Sequence, residues 1–150
     1  MKKSGFTIIE LLVTLAIIGM LASLAMTSLT ASRAKSRDAA RVSDVKQLQN
    51  ALQLYLNDNK QYPATLDPAE LVPLHIRAVP RDPLTGASYS YAALMSGNRC
   101  IDYHLGATLE TVSAGTGVLS NDFDSGSAGT VCTGSAANFD GTDPVYDVRP

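Results

Sequence analysis

The sequence predicts an α+β protein: a long N-terminal helix, lipid-like in its first half and amphipathic in its second, packed on a small antiparallel sheet. Three observations lead there. Residues 6–29 are apolar apart from Thr7, Glu10, Thr14, Ser23, Thr27 and Ser28. Residues 33–57 carry an apolar stripe at helical spacing. Beyond residue 88, short runs of period two alternate with turn residues.

The first run sets the architecture. As a helix, residues 6–29 would extend about 36 Å, enough to cross a hydrocarbon core of about 30 Å. Lys2 and Lys3 precede it and would keep the N-terminus in the cytoplasm, with the rest of the chain outside. A secretory signal peptide is the competing reading, with Ala22-Ser23-Leu24-Ala25 as a loose cleavage site. Glu10 argues against it, because an acid within a spanning helix costs up to about 2.5–3.5 kcal/mol. Something must offset that cost.

The stretch Lys2-Lys3-Ser4-Gly5-Phe6-Thr7-Ile8-Ile9-Glu10-Leu11-Leu12-Val13 resembles the leader and mature start of the type IV pilin and type II secretion pseudopilin superfamily. The resemblance implies a leader, 1–5, cut between Gly5 and Phe6 by a membrane prepilin peptidase, and N-methylation of the new terminal Phe6. It also implies an assembly role for Glu10. Cleavage would create an ammonium at Phe6, and Glu10 lies one helical turn further on. In a bundle of staggered parallel helices the carboxylate can meet a neighbour's ammonium, and removing either partner strands the other. An intrachain pairing with its own Phe6 amine, or with the positive helix end, is the alternative.

The polymerisation half is thus expected over 6–29, the amphipathic half over 30–57, and a globular head over 58–150. In the second half Val42, Val45, Leu48, Leu52, Tyr55 and Leu56 fall three and four apart, while Arg41, Asp44, Lys46, Gln47, Gln49 and Gln53 fill the other faces. No Pro or Gly interrupts residues 20–56, so one helix of some fifty residues is expected, ending in the polar run before Pro63. Many pilins carry a Pro in the membrane half; here Thr27 stands near that place. Arg33, Lys35, Arg37 and Arg41 follow the apolar run and read as a membrane-flanking surface.

The Pro-punctuated segment that follows contains a short helical turn near Pro68 to Val72. Its pieces Tyr62-Pro63, Leu71-Val72-Pro73, Val79-Pro80-Arg81-Asp82-Pro83, Gly86, Tyr89 and Tyr91 resemble the loop between helix and sheet in the major pseudopilin. Leu84 departs from that pattern, where an aromatic is common, and so does the pair of cysteines.

Strand signals come next: Ser88 to Ala93 with Tyr89 and Tyr91 on one side, a turn at Ser96-Gly97-Asn98, and Cys100 to Leu109 with Ile101, Tyr103 and Leu105 inward. Val145 to Val148 could add a last strand. Cys100 and Cys132 are the only cysteines. In an exported head they favour a disulfide, with two buried thiols as the rival reading.

The linking segment, rich in Gly, Ser, Thr and Asp, could be disordered by composition. Asp122, Asp124, Asp140 and Asp143 offer hard oxygen ligands around Gly-allowed turns, the chemistry Ca²⁺ needs. Several proteins of the resembled superfamily hold calcium in such a loop. Solvated turn carboxylates are the plainer reading.

Charge and motif limit the remaining functions. Residues 61–150 carry four Lys/Arg against ten Asp/Glu, which excludes a nucleic-acid face built from the head. Asp102, His104 and a serine could be imagined as a hydrolase triad, but no nucleophile-elbow motif supports it. Both His75 and His104 are expected as surface or edge-strand residues, and no enzyme activity is expected.

The preferred reading is a structural subunit of a type IV pilus. The alternative is a type II secretion pseudopilin, and the third a signal-anchored extracellular binding protein or enzyme. The resemblance implies as partners other copies of the chain, the peptidase, an inner-membrane assembly platform and the membrane itself. It places the subunit in the cytoplasmic membrane first, and then in an extracellular or periplasmic filament.

Overall fold

A computed structural model describes residues 5–150, apart from the side chains of Leu24, Ala25 and Thr27; Lys2 and Lys3 lie outside it. The α+β architecture is as the sequence predicts. Helix α1 runs unbroken over Ile8–Asn59, 52 residues, and α2 over Pro68–Leu71. Strands β1 (Ser90–Ser96), β2 (Arg99–Thr108) and β3 (Val145–Val148) form one antiparallel sheet in the order β1-β2-β3, and a 3-10 turn spans Gly117–Ser120.

The first part of α1 is long and apolar enough to cross a membrane, and among its described side chains none is buried against the rest of the chain. Its side chains face outward, Ile8 at 79% and Leu21 at 61% exposure, because the head provides no surface to cover them. Burial along α1 begins at Ala34 and is first complete at Asp38. Lys60 ends the helix in the left-handed region, φ 60°, with its N–H donating to the Leu56 carbonyl at 2.8 Å.

The predicted stripe becomes the core. Val45, Leu48 and Leu52 are fully buried and join Tyr62, Tyr91, Tyr103, Leu105 and Tyr146 in one cluster. Tyr62 meets Tyr103 edge to face at 4.8 Å. Two tyrosine hydroxyls find partners at the margin of the apolar interior: Tyr91 donates to the Pro63 carbonyl at 2.8 Å and Tyr89 to Asp44 Oδ2 at 2.6 Å. These bonds tie the helix and the Pro-rich loop to the sheet.

Strand β2 departs from the expected alternation. Residues 103–107 are all buried, whereas Ile101, expected inward, is exposed at 37%. A strand covered on both faces loses its period-two signature. Here α1 and Tyr62 cover one face, while the C-terminal loop lays Phe139 over the other, against His104 and Gly106. His104 is therefore fully buried rather than at the surface. His75 is covered as well, its ring edge-on to Tyr55 at 5.2 Å and its side chain 5% exposed.

The Gly- and Ser-rich loop is held at several points. Cys100 and Cys132 form a disulfide across 32 residues. Around Cys132 the loop runs beside β1, with Met95 N–H donating to Thr130 O at 2.8 Å and Cys132 N–H to Ala93 O at 2.9 Å. That contact also covers the open edge of the sheet.

Candidate functional site: assembly segment, helix clamp and carboxylate loop

Gly5 and Phe6 precede α1 in exposed, non-helical backbone, which leaves the link between them open to approach. Thr7 caps the helix. Its Oγ1 accepts from Glu10 N–H at 3.3 Å, while Glu10 Oε2 accepts from Thr7 N–H at 3.0 Å and from Thr7 Oγ1 at 2.8 Å. This reciprocal box satisfies two of the orphan donors at the helix start. Phe6, following Gly5, carries a peptide nitrogen rather than an ammonium, and the Glu10 carboxylate is bound by its own helix.

Where α1 meets the head, five charged side chains interlock. Arg41, 3% exposed, sends Nε to Asp82 Oδ2 at 2.6 Å and Nη1 to Asp38 Oδ1 at 2.8 Å, and it also pairs with Glu110. Asp38 in turn accepts from the backbone N–H groups of Glu110 and Thr111 at 2.9 and 2.8 Å. Arg37 Nε donates to Glu110 Oε1 at 2.9 Å. Asp82 Oδ1 closes its own turn by accepting from Leu84 and Thr85 N–H at 2.9 and 2.7 Å. Arg37 and Arg41 therefore lock helix to head, which corrects the reading of both as membrane-flanking surface.

Electrostatics follow this wiring. Hydrogen bonding from Arg41 holds Asp82 well below the usual carboxylate range. Arg37 is the main cause of Glu110 falling to about 2. Burial works to raise Asp38, but donors from Thr111, Glu110 and Arg41 outweigh it and leave that carboxyl low.

The C-terminal loop gathers three of the four predicted carboxylates. One oxygen each from Asp122, Asp124 and Asp143 lies within 4.8 Å of the others. Asp140 is not among them; its Oδ1 accepts from Thr142 N–H at 3.1 Å in a local turn, so its place in the predicted ligand set is corrected. Asp124 sits in the left-handed region, φ 46°, which Asp tolerates better than most residues. Both oxygens of Asp122 and Oδ1 of Asp143 are buried without a donor in hydrogen-bonding geometry. Burial, with the charges of Asp124 and Asp147 beside it, pushes the Asp122 carboxyl up against smaller lowering from nearby backbone N–H groups. Buried, unpaired carboxylate oxygens with mutual repulsion fit a hard cation, which takes six to eight oxygens, with carbonyls and water supplying the rest.

Beneath this cluster lies a network that the sequence reading missed. Asp147, fully buried on β3, accepts from Phe123 and Asp124 N–H on Oδ1 at 3.2 and 2.9 Å. Its Oδ2 accepts from Ser125 N–H at 3.0 Å and meets His104 Nε2 at 2.7 Å. His104 Nδ1 meets Asn138 Oδ1 at 2.8 Å, and Asn138 Nδ2 donates to the Ala128 carbonyl at 2.9 Å. Both ring nitrogens are thus engaged by Asn138 and Asp147, and neither meets a serine. Asp102 instead accepts from Tyr103 N–H at 2.7 Å, so the imagined triad is not assembled. The signal available in sequence was the acid inside the apolar run Val145-Tyr146-Asp147-Val148, a charge that a sheet interior must pair.

A charged clamp thus joins an exposed apolar helix to a small sheet head, and Glu10 completes the Thr7 cap at the helix start. The family described as "Prokaryotic N-terminal methylation motif" matches residues 1–26. The type II secretion system core protein G of Aeromonas hydrophila is 42% identical over 64 residues, 43% of this chain and 45% of that relative. That of Escherichia coli K12 is 44% identical over 64 residues, 43% of this chain and 44% of the relative. The chain spans less than half the length of these two. The Vibrio cholerae protein of the same name is 30% identical over 130 residues, covering 77% of this chain and 88% of the relative. No solved structure gives a significant match. The chain belongs to the type IV pilin and pseudopilin superfamily, and within it to the family of the type II secretion system core protein G.

Proposed function

We propose that this chain is a pseudopilin, a structural and non-catalytic subunit of the short periplasmic filament of a type II secretion apparatus. The observation that carries this reading is the similarity to the Vibrio cholerae core protein G, which extends over 77% of the chain and so includes much of the head. The methylation motif covers residues 1–26 alone and does not by itself choose between pilus and pseudopilus. The pseudopilin reading therefore displaces the type IV pilus expected from sequence.

In this reading a prepilin peptidase cuts between Gly5 and Phe6, and Phe6 is N-methylated. The N-terminus faces the cytoplasm and the head the periplasm. The exposed first part of α1 then passes from lipid into a bundle with other copies on an inner-membrane platform, where the Phe6 ammonium competes with Thr7 for Glu10. The test is a strain lacking this chain, complemented with wild type or with Glu10→Leu. Exoprotein release should fail without the chain and with Glu10→Leu, although the variant inserts in the membrane. Normal release accompanied by loss of surface fibres would reinstate the pilus.

A second reading concerns the loop. We infer that Asp122, Asp124 and Asp143 hold a divalent cation of the calcium type, supported by the buried, donor-free oxygens of Asp122 and Asp143. The ion would supply positive charge joining segments 122–124 and 143. Millimolar Ca²⁺ should raise the melting temperature of the full chain in detergent, and an unchanged melting curve removes the idea.

A further inference from the structure

We propose that His104 and Asp147 are positioning residues for cation capture by the carboxylate loop, an inference that rests on the cation reading above. Neither is a ligand. Asp147 collects three consecutive backbone N–H groups, those of Phe123, Asp124 and Ser125, on its two oxygens. The segment so gripped carries Asp124 and directly follows Asp122. Without the carboxylate those amides would turn to water, and the loop would lose the conformation that aims both acids at Asp143.

His104 sets the direction of that grip. Its Nε2 engages Asp147 Oδ2, the oxygen that also receives Ser125 N–H, and its Nδ1 is held by Asn138. Phe139 stacks on the ring with centroids 3.8 Å apart and planes inclined by 15°. The backbone closes over the pair at Gly141, whose N–H donates to Ser125 O at 2.8 Å. A Cβ there would stand 2.4 Å from Asp147 Oδ2 and 2.8 Å from His104 Nε2. The pair is thus enclosed by both branches of the loop, residues 123–125 on one side and 138–141 on the other. Outer partners that orient ligands in this way change metal affinity by about 10- to 100-fold when removed.

The experiment is calorimetric titration of the full-length protein in detergent with calcium chloride, at a temperature where each variant is folded, alongside melting in chelator. Asp147→Asn keeps the shape but offers one fewer acceptor. Affinity should fall about tenfold or more. A purely structural residue would lower the chelator melting temperature and leave the folded protein's affinity unchanged, and that result overturns the proposal. If Asp147→Asn does not fold, Asn138→Ala, which frees His104 Nδ1 while leaving the Asp147 carboxylate in place, should weaken binding in the same direction; unchanged affinity there also overturns it. Wild type that takes up no calcium overturns the cation reading itself, a result distinct from calcium binding equally well to wild type and variant.

Discussion

Arg41 on the long helix and Asp82 in the Pro-rich loop, 41 residues apart in sequence, are joined by a hydrogen bond of 2.6 Å, and Arg41 is the one cation shared by Asp38, Asp82 and Glu110. Replacing it takes the shared cation from the buried Asp38 and the half-buried Asp82. Arg41→Met should cost about 3–5 kcal/mol in denaturant unfolding. Arg37→Ala, at the more exposed side of the same cluster, should cost much less.

The same cluster sets an acid limit. Glu110 is lowered from 4.5 to about 2, first through Arg37, and Asp82 and Asp38 are also lowered from 3.8. A depressed carboxyl contributes stability above its unfolded pKa and loses it as pH falls through the folded value. The unfolding midpoint should therefore hold near pH 5 and drop between about pH 4.5 and 2. In Arg41→Met that drop should be shallower. Asp122 has the opposite sign, because its raised pKa makes the folded head lose stability as pH climbs above 3.8, and a bound cation should cancel that loss.

Gly141 is required by space. Gly141→Ala should lower stability by at least about 1–3 kcal/mol, the usual range for overpacking, since the added methyl would meet a buried charged pair. Gly126→Ala is the control: nothing lies within 4 Å of a Cβ there, so melting should scarcely move.

The disulfide closes a loop of 32 residues. In the chain-entropy account such a closure contributes about 3–4 kcal/mol. The double variant Cys100→Ser with Cys132→Ser should lose about that much in thermal unfolding, and hydrogen exchange should quicken first at Met95 N–H, which pairs with Thr130 O on the tethered loop.

Sequence pattern carried the helix, the hairpin turn at Gly97 and the last strand, because each rests on local periodicity or turn chemistry. It failed where a second layer arrives from afar. His104 is misplaced because the loop that covers β2 has no periodicity of its own, and Ile101 because alternation does not say where along a strand the cover ends. Arg41 was read as surface because its three acidic partners lie at positions 38, 82 and 110, two of them remote in sequence. Asp122, Asp124 and Asp143 were legible as oxygen donors, whereas the grip on their backbone from Asp147 was not.

The unbroken course of α1 also sets a load path. At 1.5 Å per residue its 52 residues make a rod of about 78 Å. With no Pro in it and, among the described side chains, none buried before Ala34, the rod is first fully covered by the head at the turn holding Asp38 and Arg41. In the proposed filament a push or pull along the rod would meet these ionic bonds before the tyrosines and leucines behind them, making the clamp a shear pin between rod and head.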